Sequence, residues 1–205
     1  MKIGIVDYGM GNIRSVWNAV RYLGYDAVLC ENGSALASLD KYILPGVGAF
    51  PDCMSNLKSR GFVDGLHEAV KTKNKPILGI CLGMQVMAKT GTENGLCNGL
   101  GWFDAEVVRI IPGNSRCRVP HVGWNELSFR SKDPLFESVA AGSDVYFVHS
   151  YFMSCRNSAD VIATCDHGDC LITAAVRSGN IVGTQFHPEK SQDCGLKILS
   201  NFLNA

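Results

Sequence analysis

Over the first ninety residues, short apolar runs alternate with amphipathic stretches. Residues 3–7 (Ile-Gly-Ile-Val-Asp) and 77–80 read as buried strands, and 25–30 and 42–44 as two further strands. Between them, 13–23 sets Val16, Val20 and Leu23 on one helical face with Gly24 as its stop. Residues 31–39 read as a short helix or loop, and 50–73 as helical. From Leu82 onward helix formers take over, with Met84, Met87 and Ala88 at helical spacing. This alternation predicts a parallel, doubly wound sheet.

The texture changes after Thr90. Residues 91–101 form a glycine-rich loop, and β-type runs follow at 103–111, 119–129, 145–153, 160–166, 170–177 and 180–186. Turn signals at Asp166-His-Gly-Asp and Ser178-Gly-Asn predict antiparallel hairpins. A last helix over 191–203 turns Leu196, Leu199 and Phe202 inward. The expected fold class is α/β: a doubly wound, mostly parallel sheet with flanking helices and an antiparallel C-terminal extension. No linker or repeat interrupts residues 1–205, which predicts a single domain.

One stretch carries chemistry. In Gly79-Ile-Cys81-Leu-Gly83, Cys81 falls where the 77–80 strand meets the following helix, the G-x-nucleophile-x-G elbow with cysteine for serine. Glycines on either side fit because a side chain there would collide in so sharp a turn. The turn holds the sulfur out of the sheet at a helix start, where free N–H groups favour the charged form. It also aims the Leu82 N–H where a tetrahedral oxyanion forms. A buried cysteine filling a strand–helix corner would give the same local pattern, so the motif needs a base.

The base comes late, where the last strand is expected to end at His187-Pro188-Glu189. In an extended chain residues two apart share a face, so Glu189 can reach the His187 imidazole. Pro188 keeps the pair out of a helix. A cysteine, a histidine and an orienting carboxylate are the parts a thiol nucleophile requires. An α/β-hydrolase would place its acid before its histidine, and nothing indicates a cysteine peptidase's cleft. A non-catalytic scaffold on the same fold differs only in that Cys81 would not react.

Bulk properties narrow the class. Of 205 residues, 46% are hydrophobic and 19% charged, globular values, and the formal net charge is zero. No basic cluster offers itself to nucleic acid or an acidic membrane. The N-terminus meets Asp7 before any signal-peptide core forms, and no apolar run is long enough to span a membrane, so a cytoplasmic location is expected. Nine cysteines, scattered and odd in number, read as reduced thiols. Cys165, His167 and Cys170 lie close together, but they lack a C-x-x-C knuckle and read as a hairpin turn, so no metal is expected there. The G-x-G at Gly9–Gly11 is too short for a dinucleotide fingerprint, and no cofactor is expected.

Gly-Ile-Cys-Leu-Gly-Met-Gln followed by Gln-Phe-His-Pro-Glu resembles a class I (triad-type) glutamine amidotransferase. Ile-Val-Asp-Tyr-Gly-Met-Gly-Asn at the start, Pro-Gly-Val-Gly-Ala-Phe at 45–50 and Pro-His-Val-Gly-Trp-Asn at 120–125 narrow the resemblance to the glutaminase subunits of imidazole glycerol phosphate synthases, over essentially the whole chain. The resemblance implies hydrolysis of L-glutamine by Cys81, His187 and Glu189. It implies a second oxyanion donor near Val47, and glutamine contacts from Gln85, His149, Ser150 and Tyr151. The partner it implies is a (β/α)8-barrel cyclase joined in a heterodimer, with Asn12, Trp124, Tyr146 and Lys190 at the contact. The residues themselves leave Gln85 readable as surface helix, Tyr151 as strand packing, Trp124 as a core aromatic and Lys190 as a solvated lysine. A close paralogue feeding ammonia to an amidine-forming enzyme of surface-sugar synthesis would share every one of these motifs. Because ammonia is protonated near neutral pH, such a glutaminase must pass it to its synthase away from water, and no synthase site is visible in this chain.

Overall fold

The computed structural model describes residues 1–113 and 117–205. Its first half runs β1 (Lys2–Val6), α1 (Ile13–Tyr22), β2 (Asp26–Cys30), β3 (Lys41–Gly46), α2 (Phe50–Ser59), α3 (Phe62–Leu66) and β4 (Ile77–Cys81). Next come α4 (Leu82–Gln85), β5 (Ala88–Gly91), β6 (Cys97–Asn98), β7 (Phe103–Arg109), β8 (His121–Glu126) and β9 (Ser128–Phe129). The chain ends with β10 (Asp144–His149), β11 (Tyr151–Cys155), β12 (Val161–His167), β13 (Cys170–Ser178), β14 (Ile181–Thr184) and α5 (Gln192–Asn204).

The main sheet has eight strands in the order β2-β1-β3-β4-β14-β13-β12-β9. Strands β2, β1, β3, β4 and β14 are parallel, and β13, β12 and β9 continue the sheet antiparallel. This is the expected doubly wound sheet with its antiparallel extension. A second sheet, β11-β7-β5-β6, and a hairpin-like pair, β10-β8, complete the fold.

The alternation of strand side chains divides the core in two. Ile3, Ile5, Ile43, Leu78, Ile80 and Val182 point to the side covered by α1 and α5, where Val16, Val20, Leu199 and Phe202 meet them. Val6, Tyr42, Leu44 and Ile77 point to the other side, against Phe50 and Leu57 of α2, Phe62 of α3 and Val107 and Met153 of the second sheet. Burial on both faces is why these strands read as unbroken apolar runs. Each such Ile, Leu or Phe contributes on the order of 1.5–3 kcal/mol. The C-terminal end of α5 has a partner the sequence did not suggest: buried Lys41 Nζ donates to the carbonyls of Phe202 and Leu203, each at 2.9 Å.

Several expected elements are shorter or divided. The helical stretch 50–73 breaks at Gly61, which is left-handed, and continues past α3 as a π-helical turn over His67–Thr72. The helix after Cys81 is a single turn, and Ala88 belongs to β5 instead. The carbonyls of Val86 and Met87, which a continuing helix would use, accept from the N–H groups of Leu100 and Trp102 at 2.7 and 2.9 Å. The 145–153 run splits at Ser150, because β10 pairs with β8 while β11 pairs with β7. The glycine-rich loop contains the short β6. Both predicted hairpins form, β12–β13 around Gly168 and β13–β14 around Gly179. Among the described residues, no helix is long and apolar enough to cross a membrane.

Candidate active site

Strands β3 and β4 end side by side, with Gly46 paired to Cys81. The chain then turns so sharply that Cys81 takes φ +55° and ψ −111°, a region a non-glycine residue enters only under strain of about 1–3 kcal/mol. The flanking glycines are required by close approach. A Cβ on Gly83 would stand 1.7 Å from the Leu44 carbonyl oxygen, and one on Gly79 would stand 2.7 Å from the Gly83 oxygen and the Met84 nitrogen. The elbow is therefore locked between β3 and α4. Because α4 is one turn long, its macrodipole is slight, and the local N–H groups carry the electrostatic effect.

His187 and Glu189 meet as expected, but by another route. Strand β14 stops at Thr184, His187 is extended, and Pro188–Lys190 forms a 3₁₀ turn. Proline suits the first position of such a turn, so Pro188 begins a short helix here and does not prevent one. Across the turn, His187 Nδ1–H donates to Glu189 Oε1 at 2.8 Å, with both side chains almost fully buried. Asn12 Nδ2 donates to the same Glu189 oxygen at 3.4 Å. Nδ1 is thereby fixed as the protonated nitrogen, which leaves Nε2 as the unprotonated nitrogen of the neutral ring. Burial opposes the imidazolium, but the neighbouring Cys81 and the hydrogen bond and negative charge of Glu189 outweigh it, raising the His187 pKa to about 9. Nε2 itself is buried with no hydrogen-bond partner among the described residues.

Cys81 opens onto a cleft of about 440 Å³ whose wall also includes Leu82, Val47, Gln85, His149, Ser150, Tyr151 and Lys190. The cleft thus gathers every residue proposed for the oxyanion and for glutamine. Gln85 is only 4% exposed, so it is not a surface helix residue. Its Nε2 donates to the Tyr151 carbonyl at 2.8 Å and to Gln185 Oε1 at 3.0 Å. Both ring nitrogens of His149 are engaged within the protein. Nδ1–H donates to the Tyr151 carbonyl at 2.9 Å, and Nε2 accepts from His121 Nδ1–H at 3.1 Å. His149 therefore offers the cleft its backbone, and the tautomers of both rings follow from that one carbonyl.

Trp124 is 47% exposed, which excludes a core aromatic, and it lies edge-on to Tyr146 at 6.0 Å. Lys190 Nζ stands 5.8 Å from the centre of the Tyr146 ring. Trp124, Tyr146 and Lys190 thus lie together, with Lys190 also lining the cleft, while Asn12 is bonded to Glu189. At the hairpin, Cys170 Sγ donates to the Ile111 carbonyl and His167 Nε2 to the Arg118 carbonyl, and Cys165 is buried. Cys170 and His167 thus bond to two different backbone carbonyls.

The sequence reading missed two site residues. Glu93 lines the cleft and its Oε2 accepts from the Phe50 N–H at 2.8 Å, tying the glycine-rich loop to the start of α2. Nothing within that loop singles it out. Gln185 is fully buried, and its Nε2 lies 3.6 Å from Cys81 Sγ. It sits inside the quoted Gln-Phe-His-Pro-Glu motif, but its partners are a hundred residues away.

The chain is similar to several known proteins over nearly its whole length. Imidazole glycerol phosphate synthase subunits HisH are 44% identical to this chain in Agrobacterium fabrum, over 99% of this chain and 98% of that one. In Geobacter sulfurreducens the identity is also 44%, over 98% and 97%. In Campylobacter jejuni, HisH 1 is 44% identical over 98% of each. Among solved structures, a glutamine amidotransferase superposes with a TM-score of 0.77 at 22% identity over 98% and 97%. The PurLQS structure from Thermotoga maritima does so at 0.75 and 19%, over 99% and 97%. At these identities the two structures speak for the fold. The family model for glutamine amidotransferase class-I matches residues 4–205, and the chain belongs to that family.

Proposed function

We propose that this chain is the glutaminase subunit of an imidazole glycerol phosphate synthase, serving histidine biosynthesis in the cytoplasm. The observation that carries the reading is the buried His187–Glu189 pair behind an elbow cysteine that opens onto a cleft. Whole-chain similarity to HisH subunits gives the pathway.

In the proposed reaction the Cys81 thiolate attacks the side-chain amide carbon of L-glutamine, and the N–H groups of Leu82 and the Val47 loop stabilise the oxyanion. The imidazolium of His187 gives its Nε2 proton to the departing nitrogen, so ammonia leaves and a thioester remains. His187 then takes a proton from water as that water attacks the thioester. Glutamate leaves, and the sulfur departs as thiolate. Glu189 holds the ring and stabilises its charge throughout. Glu93 suits the substrate ammonium, and the turn at Ser150 suits its carboxylate. The net reaction of this chain is hydrolysis of the glutamine amide; the lyase step belongs to the partner.

The partner is proposed to be a (β/α)8-barrel cyclase bound as a heterodimer over Trp124, Tyr146 and Lys190, with ammonia passing between the two proteins. Replacing Cys81 by alanine in the assembled complex is the test. Glutamine-dependent synthesis should vanish while ammonia-dependent synthesis persists. Loss of both in a correctly assembled complex would refute the two-site reading.

A further inference from the structure

Gln185 follows the end of β14, two residues before His187, and is fully buried. Burying a primary amide without partners costs on the order of 2–7 kcal/mol, so each of its atoms needs an explanation. Its main-chain N–H donates to the Ala174 carbonyl at 2.8 Å. Its side chain has two partners: the Gln85 amide at 3.0 Å and the Cys81 sulfur at 3.6 Å.

The direction of both amides is fixed from the far end. A backbone carbonyl can only accept, so the Gln85 atom 2.8 Å from the Tyr151 oxygen must be Nε2. The second hydrogen of that nitrogen is then directed at Gln185, whose oxygen must face it. The NH₂ group of Gln185 is therefore what the sulfur meets. A flipped Gln185 would set nitrogen against nitrogen.

We infer that Gln185 is a further catalytic residue: its amide, oriented by Gln85 and the Tyr151 carbonyl, donates to the Cys81 sulfur and stabilises the thiolate. A hydrogen bond to a charged acceptor is roughly twice as strong as one between neutral groups, so the donor favours the anion over the thiol. It acts at the two points where charge sits on sulfur, before attack on the amide and as the thioester breaks. In between, the sulfur is neutral and the donor is a bystander. The inference rests on Cys81 being the nucleophile.

The test reads Cys81 alkylation by iodoacetamide against pH in the full chain, with peptide mapping to separate it from the other eight cysteines. Gln185→Met keeps the length and removes the donor. Gln185→Glu keeps the shape and turns an oxygen toward the sulfur. Alkylation at pH 7 should slow about tenfold in Gln185→Met and further in Gln185→Glu, with both profiles displaced to higher pH. An unchanged profile in either folded variant overturns the inference. In the unaltered protein, the side-chain amide NMR signals of Gln185 should move over the pH range in which Cys81 gains reactivity, and a static signal also overturns it. If Cys81 of the unaltered protein reacts no faster than the buried Cys53 and Cys165, the nucleophile assignment itself fails, so the two failures are distinct.

Discussion

The main-chain N–H of His187 donates to the Tyr146 carbonyl at 2.9 Å. Ser191 strengthens the link: its hydroxyl accepts from the Tyr146 N–H at 2.9 Å and donates to the His187 carbonyl at 2.7 Å. His187 is thus pinned to β10, whose Tyr146 lies edge-on to the exposed Trp124 of β8. On the proposed reading, a partner pressing on Tyr146 would act on His187 through this backbone link.

Ser191→Ala removes the second link and leaves the Tyr146 N–H without its partner. It should lower stability by about 1–3 kcal/mol. It should also reduce the stimulation of glutamine hydrolysis by the partner while the chemistry of Cys81 stays intact. Urea denaturation and glutaminase assays with and without the partner measure both. Full stimulation in a destabilised variant would make the link purely structural.

His187→Ala and Glu189→Gln should differ in degree. Without His187 both proton transfers fail, and activity should fall as far as in Cys81→Ala. Glu189→Gln removes orientation and charge but no transferred proton, so more activity should survive. Glu189 is also one of the influences that raise the His187 pKa to about 9. Its loss should therefore move the alkaline limb of the pH–rate profile to lower pH. An unmoved limb would assign that limb to another group.

The histidines also set a stability optimum. His187 is raised from 6.5 to about 9, so the fold favours its charged form. That contribution is complete below pH 6.5 and is lost as pH rises through 9. His121 and His149 are lowered to about 4 and about 3, first by burial and then by neighbouring histidines, so the fold favours their neutral forms. Their contribution is complete above pH 6.5 and is lost as pH falls through 4 and 3. His121 and His149 share a hydrogen bond, so their contributions will not add. Denaturation midpoints should peak near pH 6.5. His121→Gln should flatten the acid side, and a slope unchanged by it would refute the assignment.

The placement of the proposed catalytic residues was legible in the sequence because each is set by neighbours in the chain: Cys81 by Gly79 and Gly83, Glu189 by a proline turn beside His187. The inner parallel strands β1, β3, β4 and β14 were legible because burial on both faces leaves no polar alternation. The helix after Cys81 was overread because Met84, Met87 and Ala88 are buried in either conformation. What ended it was the capture of the Val86 and Met87 carbonyls by residues 100–103, a pairing no local pattern records. Gln185 and Glu93 were invisible for the same reason, since their roles are set by Gln85, Cys81 and Phe50, far along the chain.

The second oxyanion donor should come from a loop just outside the main sheet. Pairing between β3 and β4 ends at Gly46 and Cys81, so Val47 lies beyond the ladder. It is 40% exposed at the cleft, and Gly48 after it has φ +107°. A peptide outside the ladder, next to a glycine, can rotate at little cost. With its carbonyl toward the oxyanion position the donor is missing, and losing one such donor lowers turnover by about 10²–10³-fold. Partner and acceptor binding would select the rotated peptide through contacts that only this state allows. The isolated chain should therefore hydrolyse glutamine poorly, and partner plus an acceptor analogue should raise turnover by about that factor. Alkylation of Cys81 should meanwhile be unaffected, because the thiolate does not depend on the loop. Steady-state glutaminase assays on the lone chain and the complex decide it. Full activity in the lone chain would rule out the rotating peptide and leave Cys81, His187 and Glu189 in their roles.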